Sequence, residues 1–149
     1  MRTYSIIGQN ITISGSPTLA YLQPASGQTV EIIRAWVSQS GTTTSAQLAV
    51  SLNFKATAFP TLTSATPTPV QSSDPISLIV GGTAGAAGTS GINASAEGAG
   101  ALTLKYADNF NNLVGWLWTP SFSGGESIFL NSAAAVSYTH LTLPTNREV

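Results

Sequence analysis

The chain has 149 residues, a formal net charge of -1, a hydrophobic fraction of 42% and no cysteine. That length fits one domain with a sizeable core, and the missing cysteines exclude disulfides and thiolate metal sites. Charged residues make up only 7% of the chain, and Arg2, Arg34, Lys55, Lys105 and Arg147 are scattered singly, which excludes the clustered cations of a nucleic-acid surface.

In chain order, strands are predicted at Tyr4–Ile7, Asn10–Ser14, Leu19–Leu22 and Thr29–Ser38. The last is apolar on both faces: Val30, Ile32 and Trp36 stand against Ile33, Ala35 and Val37. It is therefore expected near the sheet centre, with Trp36 in the core. Gln47 to Lys55 alternates cleanly, with Leu48, Val50, Leu52 and Phe54 inward and Gln47, Ala49, Ser51, Asn53 and Lys55 outward. Phe59–Pro75 carries four prolines among many Thr and Ser and is expected as an extended surface arm. Ile76–Val80 follows as a strand. Gly81–Gly100, rich in Gly, Ala and Ser, is expected as a flexible loop.

Ala101 to Tyr106 alternates again, with Leu102, Leu104 and Tyr106 on one face and Thr103 and Lys105 on the other. Leu113–Thr119 and Ser127–Asn131 complete the predicted strands. Turn signals separate them, at Gly8, Gly15–Pro17, Pro24–Gly27, Gly41–Ser45 and Gly124-Gly125. No segment carries a long helical stripe. The fold class is all-β: a single antiparallel β-sandwich or jelly-roll-like domain with long Pro/Thr-rich and Gly/Ala-rich loops.

Chemistry-bearing patterns are sparse. The only histidine, His140, has no G-x-S-x-G partner motif, so a Ser/His/Asp triad is not supported. The carboxylates Glu31, Asp74, Glu97, Asp108 and Glu126 are far apart in sequence. A hydrolase needs two of them to meet in one cleft. Asp108-Asn109-Phe110-Asn111-Asn112 offers oxygen ligands but lacks the EF-hand pattern, and an Asx-turn leading into the next strand is the better reading. No phosphate loop is present, and no cofactor or metal site is assigned. Trp116 and Trp118 sit two apart on one face of a predicted strand. Buried, they are core or interface anchors. Exposed, with Tyr106 beside them and Asn109, Asn111 and Asn112 reading hydroxyls, they form a platform for a carbohydrate. The expectation is thus a non-enzymatic structural or binding module.

Two resemblances bear on origin. Ser137–Asn146, SYTHLTLPTN, resembles the translated sequencing-adapter tails at the ends of some metagenome-derived reading frames. That likeness implies that residues 1–136 form the domain, that 137–149 are a non-native tail, and that the natural last strand is missing. The other reading is a genuine terminus, and Tyr138–Leu143 alternates well enough to pair as a strand in either case.

The second likeness rests on three ordered segments: Thr29–Gly41 (TVEIIRAWVSQSG), Thr66–Pro75 (TPTPVQSSDP) and Ala107–Pro120 (ADNFNNLVGWLWTP). Together they resemble a group of small proteins carried by tailed phages and prophages, over roughly Tyr4 to Asn131. The resemblance implies a virion-associated structural role, such as capsid decoration, with self-association or a capsid lattice as partner and neither nucleic acid nor membrane. It implies synthesis in the bacterial host cytoplasm; Met1-Arg2 opens on strand-like sequence rather than a signal peptide. It implies no catalytic residue. In that group a closing strand lies near the terminus, where this chain has the tail.

Overall fold

The computed structural model describes residues 2–12, 17–41, 43–82, 87–121 and 127–131, together with the backbone of 135–140. Asn10–Ser14 and Gly81–Gly100 fall partly outside these residues, and Glu126 and the segment after His140 fall wholly outside them. The fold is all-β. Among the described residues there is no helix, and the strands close no barrel.

Thirteen strands of the described residues follow in chain order. They are β1 (Tyr4–Ser5), β2 (Thr18–Leu22), β3 (Thr29–Ile32), β4 (Ala35–Val37), β5 (Gln47–Lys55) and β6 (Thr61–Ser64). Then come β7 (Thr68–Pro69), β8 (Val80–Gly81), β9 (Thr89–Ala96), β10 (Leu102–Asn111), β11 (Trp116–Trp118), β12 (Ile128–Asn131) and β13 (Ala135–His140). A seven-stranded sheet runs β10-β5-β13-β2-β9-β6, with β8 pairing β9 in parallel. Three antiparallel ribbons, β1-β7, β4-β11 and β3-β12, stand apart from it.

The core lies where the ribbons meet one face of the sheet. Leu22, Leu48, Val50, Leu52 and Phe110 come from the sheet, and Ile32, Trp116, Trp118 and Leu130 from the ribbons. This is the sandwich-like arrangement that alternating strands require, since each buries its apolar side against a second layer. β5 matches its expected span residue for residue. Its second face, expected to be solvated, is covered at one end: Asn53 is buried and Lys55 is only 2% exposed.

Three expectations are corrected. The first is Thr29–Ser38, which is two strands in different ribbons. Val30 and Ile32 turn inward in β3; Ile33 and Arg34 are exposed; Ala35 and Val37 turn inward in β4. The inward phase slips from even to odd residues at Ile33-Arg34, so Trp36 points outward and is 50% exposed instead of buried in the core.

The second is the Gly/Ala-rich segment. Within its described residues it holds β8 and the eight-residue strand β9, not a loop throughout. Glycine there serves close packing. A Cβ on Gly91 would lie 2.8 Å from Leu62 Cβ and from Thr63 O, so only glycine lets β9 lie this close to β6. Asn93, at φ 54°, sits where the β6–β9 register shifts and takes up the irregularity. The Pro/Thr-rich arm likewise contains β6 and β7, with Pro60 and Pro67 buried.

The third is the face of β10. Leu104 pairs with Asn53 and Tyr106 with Leu52, so Lys105 is an extra residue in a bulge. Adjacent partners face opposite sides of the sheet. Leu104 and Tyr106 therefore project to opposite faces, not to one. Of Ile76–Val80 only Val80 lies in a strand, β8, and Leu113–Thr119 shortens to Trp116–Trp118.

β13 occupies an interior position. Its backbone pairs with β2, where Val136 lies opposite Leu22 and His140 opposite Thr18. It also pairs with β5, where Ala135 lies opposite Lys55 and Tyr138 opposite Leu52. The last strand among the described residues thus lies inside the sheet, with a neighbour on each side.

Candidate functional site

The residues singled out by sequence gather at one end of the sheet, where β11 crosses β10. Phe110, Asp108 and Tyr106 pair with Leu48, Val50 and Leu52, which fixes them on the core face. The chain leaves β10 in a reversal. Asn111 O accepts from Val114 N at 3.0 Å and Gly115 N at 3.2 Å, and Gly115 has φ 82°, which suits glycine. Trp116 then pairs with Val37, Leu117 with Trp36, and Trp118 with Ala35.

Alternation does the rest. Trp116 and Trp118 turn inward, at 6% and 7% exposure, and Leu117 turns outward beside Trp36. The Tyr106 ring lies 6.2 Å from Trp116 and 6.3 Å from Trp118, at angles of 37° and 55°. These separations are those of favourable aromatic pairs. The Trp116 indole N–H donates to Asp108 Oδ2 at 3.2 Å, and Asp108 Oδ1 accepts from Asn109 N at 2.8 Å.

Tyr106, Trp116 and Trp118 thus form an aromatic cluster, and both indoles are turned against the protein rather than presented as an exposed platform. The asparagines divide. Asn112 is buried and structural: its Oδ1 accepts from Ala46 N at 2.9 Å, and its Nδ2 donates to Thr44 O at 3.0 Å. Asn111 donates to Ser45 Oγ at 2.6 Å and accepts from Leu113 N at 2.9 Å, the Asx-turn geometry. That turn follows β10, whereas Asp108 and Asn109 belong to the strand itself. Asn109 is exposed on β10.

The other polar groups are held separately. Glu97 accepts from the Thr18 hydroxyl at 2.6 Å and from Thr18 N. Lys55 donates its ammonium to the carbonyls of Glu97 and Gly98, the latter at 3.2 Å. Residues 97 and 98 are thus clasped by β2 on one side and β5 on the other. Among the described residues, no group of three or more His, Asp or Glu side chains could hold a metal ion.

Comparison with protein-family models, with curated proteins and with solved structures finds no match for this chain.

Sequence reasoning missed the outer surface of the ribbons. Trp36 (50% exposed) and Leu117 (63% exposed) lie directly opposite one another, with the Arg34 guanidinium 5.2 Å from the Trp36 ring centroid. Ile33 and Phe129 are exposed on the neighbouring ribbon and its continuation. An open cleft of about 1480 Å³ lies between ribbons, sheet and the segment around Ile76, and Ile33, Trp36, Ile76, Leu78 and Phe129 contribute to its walls. Trp36 was findable only by locating the slip at Ile33-Arg34.

Proposed function

We propose that this chain is a non-catalytic structural protein of a phage-like particle, a capsid decoration or other virion component, that acts through protein–protein assembly. The observation that carries the reading is the outward Trp36–Leu117 pair with its stacked Arg34. Aromatic residues and arginine are enriched at protein interfaces, and contiguous apolar surface on a soluble domain marks a contact site. The apolar walls of the adjoining cleft extend that surface. Low charge lowers the cost of desolvating such a face, and a net charge of -1 gives little repulsion between copies.

The phage origin rests on the three ordered sequence segments, and the particle would be assembled in a bacterial host. Catalysis is no part of the reading. Glu97 and Asp108 are each engaged by a structural partner, Thr18 and Trp116. The carbohydrate reading loses its platform when Trp116 and Trp118 are packed within one chain. The jelly-roll connectivity of capsid proteins is likewise part of the proposal.

The test is the mass of the purified chain by light scattering over a concentration series. Discrete oligomers or growing assemblies are expected. A monomer at every concentration, with no binding to phage capsids in co-sedimentation, overturns the reading.

A further inference from the structure

The stretch from Thr29 to Val37 is paired along one side. Val37, Trp36 and Ala35 lie opposite Trp116, Leu117 and Trp118, and Ile32 back to Thr29 lie opposite Ile128 to Asn131. Among the described residues neither β3 nor β4 pairs with any other strand. Residues 28–40 contribute to the wall of the open cleft without a break, those turned inward and those turned outward alike. One face of a strand supplies every second residue, so an unbroken run marks a strand's open edge.

This edge reads alike in both directions about Ile32-Ile33. Two copies related by a two-fold axis there, with their edges antiparallel, set Glu31 against Arg34, Val30 against Ala35, and Thr29 against Trp36. Directly opposed residues share a face of the sheet. Val30 and Ala35 both pack against the core, and Thr29 and Trp36 are both exposed. Glu31 lies opposite exposed Phe129 in its own ribbon and so turns outward, and Arg34 is exposed. Only Ile32 and Ile33, at the axis, differ in burial. The match depends on the slip at Ile33-Arg34. In an unbroken strand, residues an odd number apart face opposite sides, and every one of these pairs would be mismatched.

Glu31 and Arg34 are the only charged residues from Thr29 to Gly41, and this register brings each against its opposite at both ends of the contact. Opposite charges directly across an antiparallel pair stabilise it, and like charges there destabilise it. From these features we propose that the open edge of β3 and β4 pairs with the same edge of a second copy, antiparallel, in the register that sets Glu31 of each copy against Arg34 of the other. The inference rests on the assembly reading and specifies which edges meet and in which register. Trp36 then lies opposite the second copy's Thr29 and diagonal to its Glu31, within reach of a large side chain, so the contact covers part of the apolar face described above.

Charge reversal tests the register. Glu31→Arg sets arginine against arginine at both ends, and Arg34→Glu sets glutamate against glutamate. Each full-length variant is followed by light scattering over a concentration series, with its thermal midpoint as the check on folding. Each is expected to self-associate more weakly than the parent by about tenfold or more. Mixed one to one, the two variants set the arginines of one copy against the glutamates of the other, and a heterodimer is expected. Both substitutions in one chain should restore the parent's mass. If the parent is an oligomer and neither single variant changes its mass, the register is wrong and assembly stands. Single variants that dissociate but do not recombine on mixing also overturn the inference.

The unmutated protein supplies an independent reading should a single variant not fold. In a sample refolded from isotopically labelled and unlabelled copies, isotope-filtered NOEs are expected between residues 29–32 of one chain and residues 33–36 of the other. An oligomer without those NOEs overturns the inference and leaves assembly standing. A monomer at every concentration removes the assembly reading and this inference with it.

Discussion

The indole N–H of Trp116 donates to Asp108 Oδ2 at 3.2 Å, and this bond ties the β4–β11 ribbon to the outermost strand of the large sheet. Trp116 is buried while the Asp108 residue is exposed, so the bond joins a core anchor to the rim. Asp108→Ala removes the acceptor and leaves the indole N–H to find water. The expected loss is about 1–2 kcal/mol of unfolding free energy, by denaturant titration followed by tryptophan fluorescence. Asp108→Asn keeps an acceptor oxygen and should lose less than half as much. Equal stability of Asp108→Ala and the parent would show that the bond holds nothing in place.

Close backbone approach makes a second prediction. Gly91→Ala puts a methyl group 2.8 Å from both Leu62 Cβ and Thr63 O. β6 must move, at a cost of about 1–3 kcal/mol. A lowered thermal midpoint is expected, with faster amide exchange in Thr61–Ser64 than elsewhere in the sheet. An unchanged midpoint would mean that β6 does not press on β9.

Lys55 is the buried cation of the fold's second face, and its ammonium serves two carbonyls. Lys55→Met keeps the apolar stem and deletes the donor. Hydrogen bonds to charged groups contribute about 1.5–3 kcal/mol, and a comparable loss in denaturant-derived stability is expected. Exchange of backbone amides around residues 97–100 should rise at the same time. A Met variant as stable as the parent would show that packing of the stem, not the amine, secures the clasp.

These elements show how far a sequence of this kind can be read. β5 was legible in full because its alternation is unbroken and one face meets the core. Trp116 and Trp118 were legible as a same-face pair by the same rule. Failures cluster where the phase slips. At Ile33-Arg34 the chain changes partner strands, and at Lys105 a bulge adds a residue. Neither event has a local signature, because each is set by the neighbouring strand. β9 was invisible for another reason: its glycine, Gly91, is required for close approach to β6, and a strand built of glycine, alanine and serine reads as loop. The interior place of β13 was also hidden, since pairing order is a tertiary property.

That interior place bears on the C-terminal tail. A chain ending at Ala134 leaves β2 and β5 with two open edges where a terminal strand at the sheet margin would leave one. Unpaired edges are templates for aggregation. The truncated chain is expected to lose most of its soluble yield and to bind an amyloid-sensitive dye, and a synthetic peptide of residues 135–149 should restore solubility in part. Soluble, monodisperse truncated protein with an unchanged thermal midpoint would show that the sheet does not depend on this strand.

The central claim is that the outward face of the β4–β11 ribbon assembles copies of this protein. Its most direct measurement is the light-scattering mass of a chain carrying Trp36→Glu and Leu117→Glu, beside the parent at matched concentrations. Both side chains are half or more exposed, so the fold should survive with a thermal midpoint within a few degrees of the parent's. The account predicts that the parent is oligomeric and that the variant falls to the mass of one chain. A folded variant that keeps the parent's oligomeric mass would contradict it.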